Sequence, residues 1–369
     1  MKEWQIRQKR ERKRQFFQKG YGAFGHFQTL CSMSPYTRAC LFQKEGRQTP
    51  AFLRVSLAFG EWGTPDTARN LRGFAVKFQT DGGIYDLLCQ SLPVAPANSR
   101  KERKAVYQTF SRDPATGLGS PGKFWELAGE NPGLLGFGAA YFSNQGTPYG
   151  FINMKSYGVQ TQIWENWEKE RFLVRYHWIP RAGERLSTRE EALLRAGLNP
   201  DAAGEELYGA LSKGEQVSYN LFIQIMPHAN GNYLSFHPFD STKTWPKETF
   251  PLRLVGRLNL EENPENMSVE VEPAEFSGEN RIDGILPKQQ AEFRPDREQS
   301  FRQIRRFLEE LSLSEKRNLT DNLAVELNKL EDGLREETIR NFRLADSELG
   351  EKLEGRVQWY QRNFTEGKI

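Results

Sequence analysis

Asp66-Thr67-Ala68-Arg69-Asn70-Leu71-Arg72-Gly73-Phe74-Ala75-Val76-Lys77-Phe78-Gln79-Thr80 joins two patterns in one short stretch. Its first half is a polar turn crowded with Arg69, Asn70 and Arg72. Its second half alternates with period two. Phe74, Val76 and Phe78 face one way, and Ala75, Lys77 and Gln79 face the other. Such alternation marks a strand buried on one face. The same period recurs downstream. Residues 171–178 put Phe172, Val174, Tyr176 and Trp178 on one side, and residues 219–226 do so with Tyr219, Leu221, Ile223 and Ile225. A further run over 266–272 offers Met267, Val269 and Val271 as a strand. Strands this far apart, with long segments between them, predict an antiparallel barrel that carries insertions.

The character changes near Arg294-Pro295, where helical spacing takes over. Phe301, Ile304, Leu308 and Leu311 recur at three or four residues. Ser312-x-x-Glu315 reads as a capping box. It opens a helix with Leu319, Leu323, Leu327 and Leu330 on one face, expected to end near Gly333. Asp346 caps a last helix bearing Leu349, Leu353, Val357 and Tyr360. These stripes predict the core of a small helical bundle. The expected fold class is therefore α+β: an antiparallel β-barrel with helical insertions, followed by a C-terminal α-helical bundle. The expected division is a basic arm over 1–15, the barrel core over 16–290 and the helical region over 291–369.

Composition narrows the function classes. Lys plus Arg number 51 against 48 Asp plus Glu, which makes no global case for nucleic acid or membrane binding. The local excess at Arg7, Lys9, Arg10, Arg12, Lys13 and Arg14 reads as a solvated arm, with a phosphate- or lipid-binding arm as the alternative. Cys31, Cys40 and Cys89 form no paired framework and no Cys-x-x-Cys, as in a reducing compartment. No apolar run reaches the ~20 residues that span a bilayer, and the N-terminus lacks a signal peptide's apolar core. A cytoplasmic protein is expected. His26, His177, His228 and His237 have no metal-ligand spacing, so no metal site is expected. No phosphate-cradling glycine loop and no Gly-x-Ser-x-Gly elbow occurs.

The opening stretch resembles the signature of the haem catalases, and so do several other segments. Lys19-Gly20-Tyr21-Gly22-Ala23-Phe24-Gly25 resembles the family's segment after its distal histidine. Arg54-Val55-Ser56 with Gly60 resembles a barrel strand, and Tyr85-Asp86-Leu87-Leu88 with Pro93-Val94 the end of the next hairpin. Pro238-Phe239-Asp240-Ser241-Thr242-Lys243-Thr244-Trp245-Pro246 is close to a family motif. So are Val255-Gly256-Arg257-Leu258 and Asn263-Pro264-Glu265-Asn266. The chain is thus identified as similar to the haem catalase superfamily.

The functional residues that the resemblance implies carry over one at a time. A distal His moves a proton between the peroxide oxygens. It stands three residues after an Arg and two before the Lys-Gly. Arg14 occupies the Arg place and Phe17 the His place, and a phenyl ring moves no proton. The partnering Asn corresponds to Gln90. Ser56, which steadies the His, and Arg54, which faces a haem carboxylate, are both present. Cys89 beside Gln90 is expected to be a core or near-surface thiol, with a thiol facing the former distal side as the alternative. On the proximal side the family holds iron through a tyrosinate with a nearby Arg. Here Phe276 leads through Gly284-Ile285-Leu286-Pro287 to Arg294-Pro295, and residues 288–302 contain no Tyr. That helix and the wrapping segment behind it read as deleted. A Phe that stacks over the haem aligns with Ala95, and a His near the propionates with Gln160. The His, Arg and Lys of the family's NADPH site align with Gly136, Gln145 and Ile179.

The expectation is a haem-free homologue with no hydrogen-peroxide dismutation, no bound NADPH and no other cofactor. Its pocket is lost, or is repurposed for a small, anionic molecule or a biosynthetic reaction. The alternatives are a haem-binding catalase- or peroxidase-type oxidoreductase with a non-standard axial ligand, and a non-enzymatic interaction module. The remnant pocket positions are Arg14, Phe17, Arg54, Ser56, Gln90 and Phe276. Buried Arg14 and Arg54 demand either an acidic partner or an anionic ligand. An empty apolar void of even ~400 Å³ would cost on the order of 10 kcal/mol, which rivals a domain's stability. The haem space must therefore be filled, opened to water or otherwise occupied. Without the wrapping segment and a long arm, a monomer or homodimer is expected rather than the tetramer usual in the family.

Overall fold

The computed structural model describes residues 14–120, 122–234, 236–287 and 296–363. The arm expected over 1–15 lies outside them except for Arg14 and Gln15, and the boundary expected at 290/291 lies outside them as well. Eight antiparallel strands form the barrel. They are β1 (Gly20–Thr29), β2 (Gln48–Leu57), β3 (Arg72–Thr80), β4 (Gly83–Gln90), β5 (Ser156–Glu165), β6 (Arg171–Pro180), β7 (Val217–Pro227) and β8 (Arg253–Glu262). The order is β4-β3-β2-β1-β8-β7-β6-β5, closed by a β4–β5 pairing, with a short β9 (Ile285–Leu286) added on β5. Gly25 shows how closely the backbones approach. Its Cβ would fall 1.9 Å from the Asn259 carbonyl oxygen, where the β1–β8 register shifts.

The period-two pattern becomes the barrel core. Phe74, Val76 and Phe78 join Leu53, Val55, Tyr176 and Trp178 inside, all fully buried. Two of the polar groups there pair directly: Trp164 Nε1 donates to Tyr176 Oη at 2.7 Å, and Tyr219 Oη donates to the Phe151 carbonyl at 2.7 Å.

The arginine-rich turn is a fastener. The Arg72 guanidinium is fully buried and donates to the carbonyls of Asp66, Ala68, Asn70 and Gly146. Arg69 donates to the carbonyls of Tyr141 and Ser143. Asp66 accepts from the Gly204 amide and pairs with Lys19 at 3.0 Å. The turn thereby ties β3 to insertions far away in the chain.

Those insertions are α1 (Arg100–Thr109), α2 (Gly122–Glu130), α3 (Leu135–Phe142), α4 (Arg189–Leu198) and α5 (Ala202–Ser212). Every residue of α3 is buried, as an all-round apolar helix must be. It lies in a second core with α6 (Arg297–Glu309), α7 (Leu313–Leu327), α8 (Asp332–Ala345) and α9 (Ser347–Asn363). The Ser312 capping box closes in both directions, and the Asp346 carboxylate accepts from the Leu349 amide at 2.7 Å. The segment 238–246 docks this region on the barrel. Gln303 Oε1 accepts from the amide and hydroxyl of Thr244, and Lys243 Nζ reaches Ser300 Oγ at 3.4 Å. No helix among the described residues is long and apolar enough to cross a membrane.

Two sequence expectations are corrected. The strand proposed over 266–272 is a π-helical turn, Met267–Val271, capped by Asn266. No neighbouring strand is free there, because β1 is paired on both sides by β2 and β8. The α7 helix stops at Leu327, and Gly333 sits in the first turn of α8, which the sequence reading missed.

Candidate functional site

Strand register places the residues singled out from the sequence. Gly20 pairs with Ser56, Ser56 with Gly73, Gly73 with Gln90, and Gln90 with Tyr157. Ser56 and Gln90 therefore share one row on the outer face, about 10 Å apart across two strand spacings. The next row aligns Gly22, Arg54, Ala75 and Leu88. Both rows face away from the core because Val55, Phe74 and Cys89 point inward. Cys89 is the core thiol expected from the sequence, not one on the Gln90 side: it lies inside the barrel, where burial pushes its thiol well above the ordinary range.

Phe17 stands over the first row. Its ring atoms come within 3.0 Å of where a Gly73 Cβ would sit, and Ser56 Oγ is equally near that point. Glycine at position 73 is what allows the ring and the hydroxyl to meet there. The ring is half-buried and meets Tyr107 edge-on with centroids 6.0 Å apart, while Phe16 meets Tyr107 at 5.3 Å. Phe17 also has φ 59, a left-handed backbone that a bulky residue adopts at a cost. Flanking hydrogen bonds hold it. The Phe17 amide donates to the Ala58 carbonyl, and Arg54 Nη2 donates to the carbonyls of Phe17 and Gln18 at 3.1 and 3.0 Å.

Arg54 is 4% exposed, and its Nε has no partner. Burial and the nearby Arg14 charge push its pKa down to about 9, with Glu272 opposing. Arg14 donates to the Ala274 carbonyl and is also lowered by burial, against Glu275 and Glu272. Gln90 gives both amide hydrogens away, to the carbonyls of Leu92 and Val94 at 3.0 and 2.8 Å. Phe276 stacks on Phe52 with centroids 6.0 Å apart and lies under Lys77. Val271, Ala274 and Phe276 thus cover the outer ends of β1 and β2. Ala75 remains partly open, and Leu88 is 42% exposed.

The four histidines serve elsewhere. His26 contacts Glu261 and Asn259, and His237 Nδ1 accepts from the Phe239 amide. His228 packs edge-on to Phe239. His177 Nε2 meets Gln224 Oε1 at 3.1 Å in a cleft between barrel and helices that Gln145, Tyr157, Gln303 and Arg306 also line. Burial holds His177 neutral, with its pKa down to about 4. Gln145 lines that cleft, whereas Gly136 is buried in α3 and Ile179 lies on β6. No group of three or more metal-ligating side chains occurs among the described residues. Sequence reasoning missed Tyr107, Gly73 and Leu88 as walls of the site. Tyr107 is carried by an insertion, and no local pattern says where an insertion docks.

Comparison with known proteins agrees with this architecture. The family model described as Catalase matches residues 2–293. A catalase from Schizosaccharomyces pombe is 35% identical over 268 residues, covering 72% of this chain and 52% of the relative. A catalase from Methanosarcina barkeri is 38% identical over 267 residues, covering 72% of this chain and 53% of the relative. The chain therefore spans about half the length of the curated relatives it matches. A fungal catalase crystal structure superposes with a TM-score of 0.89 at 24% identity, covering 94% of this chain and 88% of that one, a likeness of fold. On the family model and these relatives together, the chain belongs to the catalase family.

Proposed function

We propose that this protein is a catalase-family member that works without haem and does not dismutate hydrogen peroxide, its outer-face site having become a small-molecule site. The observation that carries the reading is Phe17, which takes the place beside Ser56 where the family's proton-moving imidazole is implied. The residues present do not fit haem. Gln90 has spent its amide hydrogens on backbone carbonyls, leaving no donor for a peroxide. No tyrosine lies between Tyr233 and Tyr360 in the sequence. An Arg-x-x-x-Tyr spacing does recur at Arg356 and Tyr360, but on α9, where Arg356 pairs with Asp321 of α7. The space a haem would need is filled on one side by Phe17 and opened to solvent at Leu88, two of the outcomes that the cavity cost leaves.

The test is the absorption spectrum of protein expressed with haem supplied, together with oxygen release from peroxide. The expected result is no stoichiometric haem band and no oxygen release beyond the buffer's. Phe17→His should not restore release, since a proton-moving group alone supplies no axial ligand. A one-to-one haem band with rapid oxygen release would refute the reading and restore the haem-binding alternative.

A further inference from the structure

We propose that the outer face of α4, together with the loop that carries Trp62, is the surface on which two copies of this chain pair about a two-fold axis. The proposal rests on nothing in the haem-free reading. A helix lying on a protein surface turns its apolar stripe inward and its charges outward. α4 does the reverse. Leu193, Leu194 and Leu198 are 56%, 64% and 77% exposed, and Ala192 is its one buried residue. Arg195 turns inward instead. Its guanidinium lies 3.6 Å from the centre of the Tyr149 ring and donates to the Tyr149 carbonyl. Thr67 Oγ1 fastens the inner side too, donating to the Ala192 carbonyl at 3.2 Å. The carbonyls of Thr64 and Pro200 share the Lys19 ammonium at 2.9 and 3.1 Å. That contact brings the loop of Trp62, 49% exposed, to the Leu198 end of the helix.

Area and charge both favour a second copy as the occupant. With roughly 150–250 Å² per large side chain, these fractions leave roughly 400–600 Å² of apolar surface open. That is the upper end of the ~300–600 Å² found in the largest patch of a typical monomer. It is also what one partner brings to a standard interface, about 800 Å² of which roughly 60% is apolar. Glu190 and Glu191 stand exposed in the first turn of α4. An antiparallel pair centred on Ala196 sets Leu194 against the partner subunit's Leu198. It also holds the two Glu190 side chains about 18 Å apart along the axis, beyond the screening length of ~8–10 Å. Gly197, beside that centre, faces open space and presents no side chain to keep the helices apart. The same carboxylates, with exposed Glu61 next to Trp62, turn this face away from an anionic lipid surface.

The test is sedimentation velocity on the full chain over a concentration series. A reversible dimer with a Kd of about micromolar or tighter is expected. The double variant Leu194→Glu, Leu198→Glu should weaken it by roughly a hundred-fold or more. Its far-ultraviolet circular dichroism should stay that of the parent, since both positions are exposed. Leu198→Glu alone, the milder change, should weaken the dimer by roughly ten-fold or more, and it carries the test if the double variant does not fold. Leu313→Glu, at an exposed leucine that begins α7, should leave the dimer as it is. A chain that stays monomeric at every concentration, a dimer unmoved by the α4 variants, or one that Leu313→Glu breaks equally would each overturn the proposal. So would a monomer that dimerises only once residues 1–13 are removed, because the face would then belong to the chain's own arm. Cosedimentation of the monomer with vesicles of phosphatidylcholine and phosphatidylserine, lost in Leu194→Glu, would overturn it as well and assign the face to lipid.

Discussion

Phe17 offers the sharpest test, because its ring and its backbone make opposite demands. Phe17→Ala removes a half-buried ring that covers Gly73 and meets Tyr107 edge-on. Full burial of a phenylalanine is worth about 1.5–3 kcal/mol, so half of that is about 0.8–1.5 kcal/mol. The edge-on pair adds roughly 0.5–1 kcal/mol. The expected loss is about 2 kcal/mol, below the ~3–5 kcal/mol that a fully buried ring would cost. Alanine also keeps the left-handed backbone at φ 59, a conformation that costs an L-residue about 1–2 kcal/mol. Glycine loses the same ring but not that strain. Its greater freedom when unfolded returns about 0.5–1 kcal/mol of the gain. Phe17→Gly should therefore be less destabilising than Phe17→Ala by about 0.5–1 kcal/mol, the reverse of their order at ordinary sites. Urea titration followed by fluorescence of the buried Trp125, Trp164 and Trp178 measures both variants. A change below about 0.5 kcal/mol for alanine would show that the ring packs on nothing. A glycine variant less stable than the alanine one, at unchanged m-value, would refute the left-handed assignment.

The remaining predictions concern the cleft, the docking of the helices and the assembly. His177 has its pKa lowered to about 4 by burial, with the Gln224 hydrogen bond opposing. The unfolded chain binds the extra proton between pH 4 and the ordinary 6.5, so this group's contribution is complete above 6.5 and fades as pH falls toward 4. It amounts to about 3 kcal/mol at most, and stability measured against pH should be flatter in that window for His177→Gln; identical curves would contradict it. Gln303→Ala leaves the amide and hydroxyl of Thr244 without their acceptor and should cost about 1–3 kcal/mol in denaturant titration; a neutral result would show that this contact does not fasten the helices. Light scattering should give a monomer or homodimer, and a tetramer that persists on dilution would contradict the argument from the wrapping segment.

The barrel was legible because a half-buried strand writes its burial directly into the sequence. Phe74, Val76 and Phe78 read the same in both forms. The reading failed where two periods coincide. Met267 and Val271 are two steps apart in a strand pattern and also one turn apart in a helix, and both pack against Phe52. Only Val269, 55% exposed, breaks the strand pattern, and its exposure cannot be seen in a sequence. Gly333 misled for a similar reason. It reads as a helix stop, yet open space surrounds it in the first turn of α8. The site was legible as far as types and register go. Once β2, β3 and β4 pair, Ser56, Gly73 and Gln90 must share a row. What stayed hidden was every partner supplied by a backbone carbonyl, because any residue can supply one. Arg14 meets Ala274 and Arg54 meets Phe17 and Gln18, and neither sequence context marks those acceptors. The question left open by the sequence, an acidic partner or an anionic ligand, therefore turns on what these two arginines lack. Among the described residues no carboxylate reaches them, while Lys19, Lys77 and Arg38 each have one. The chain can place carboxylates against buried cations. It leaves Arg54 with two carbonyls and a bare Nε, as it leaves Arg69 with two carbonyls and a bare Nη2, and it holds Arg72 by four carbonyls, so carbonyl dipoles rather than carboxylates are what this fold sets against these guanidiniums.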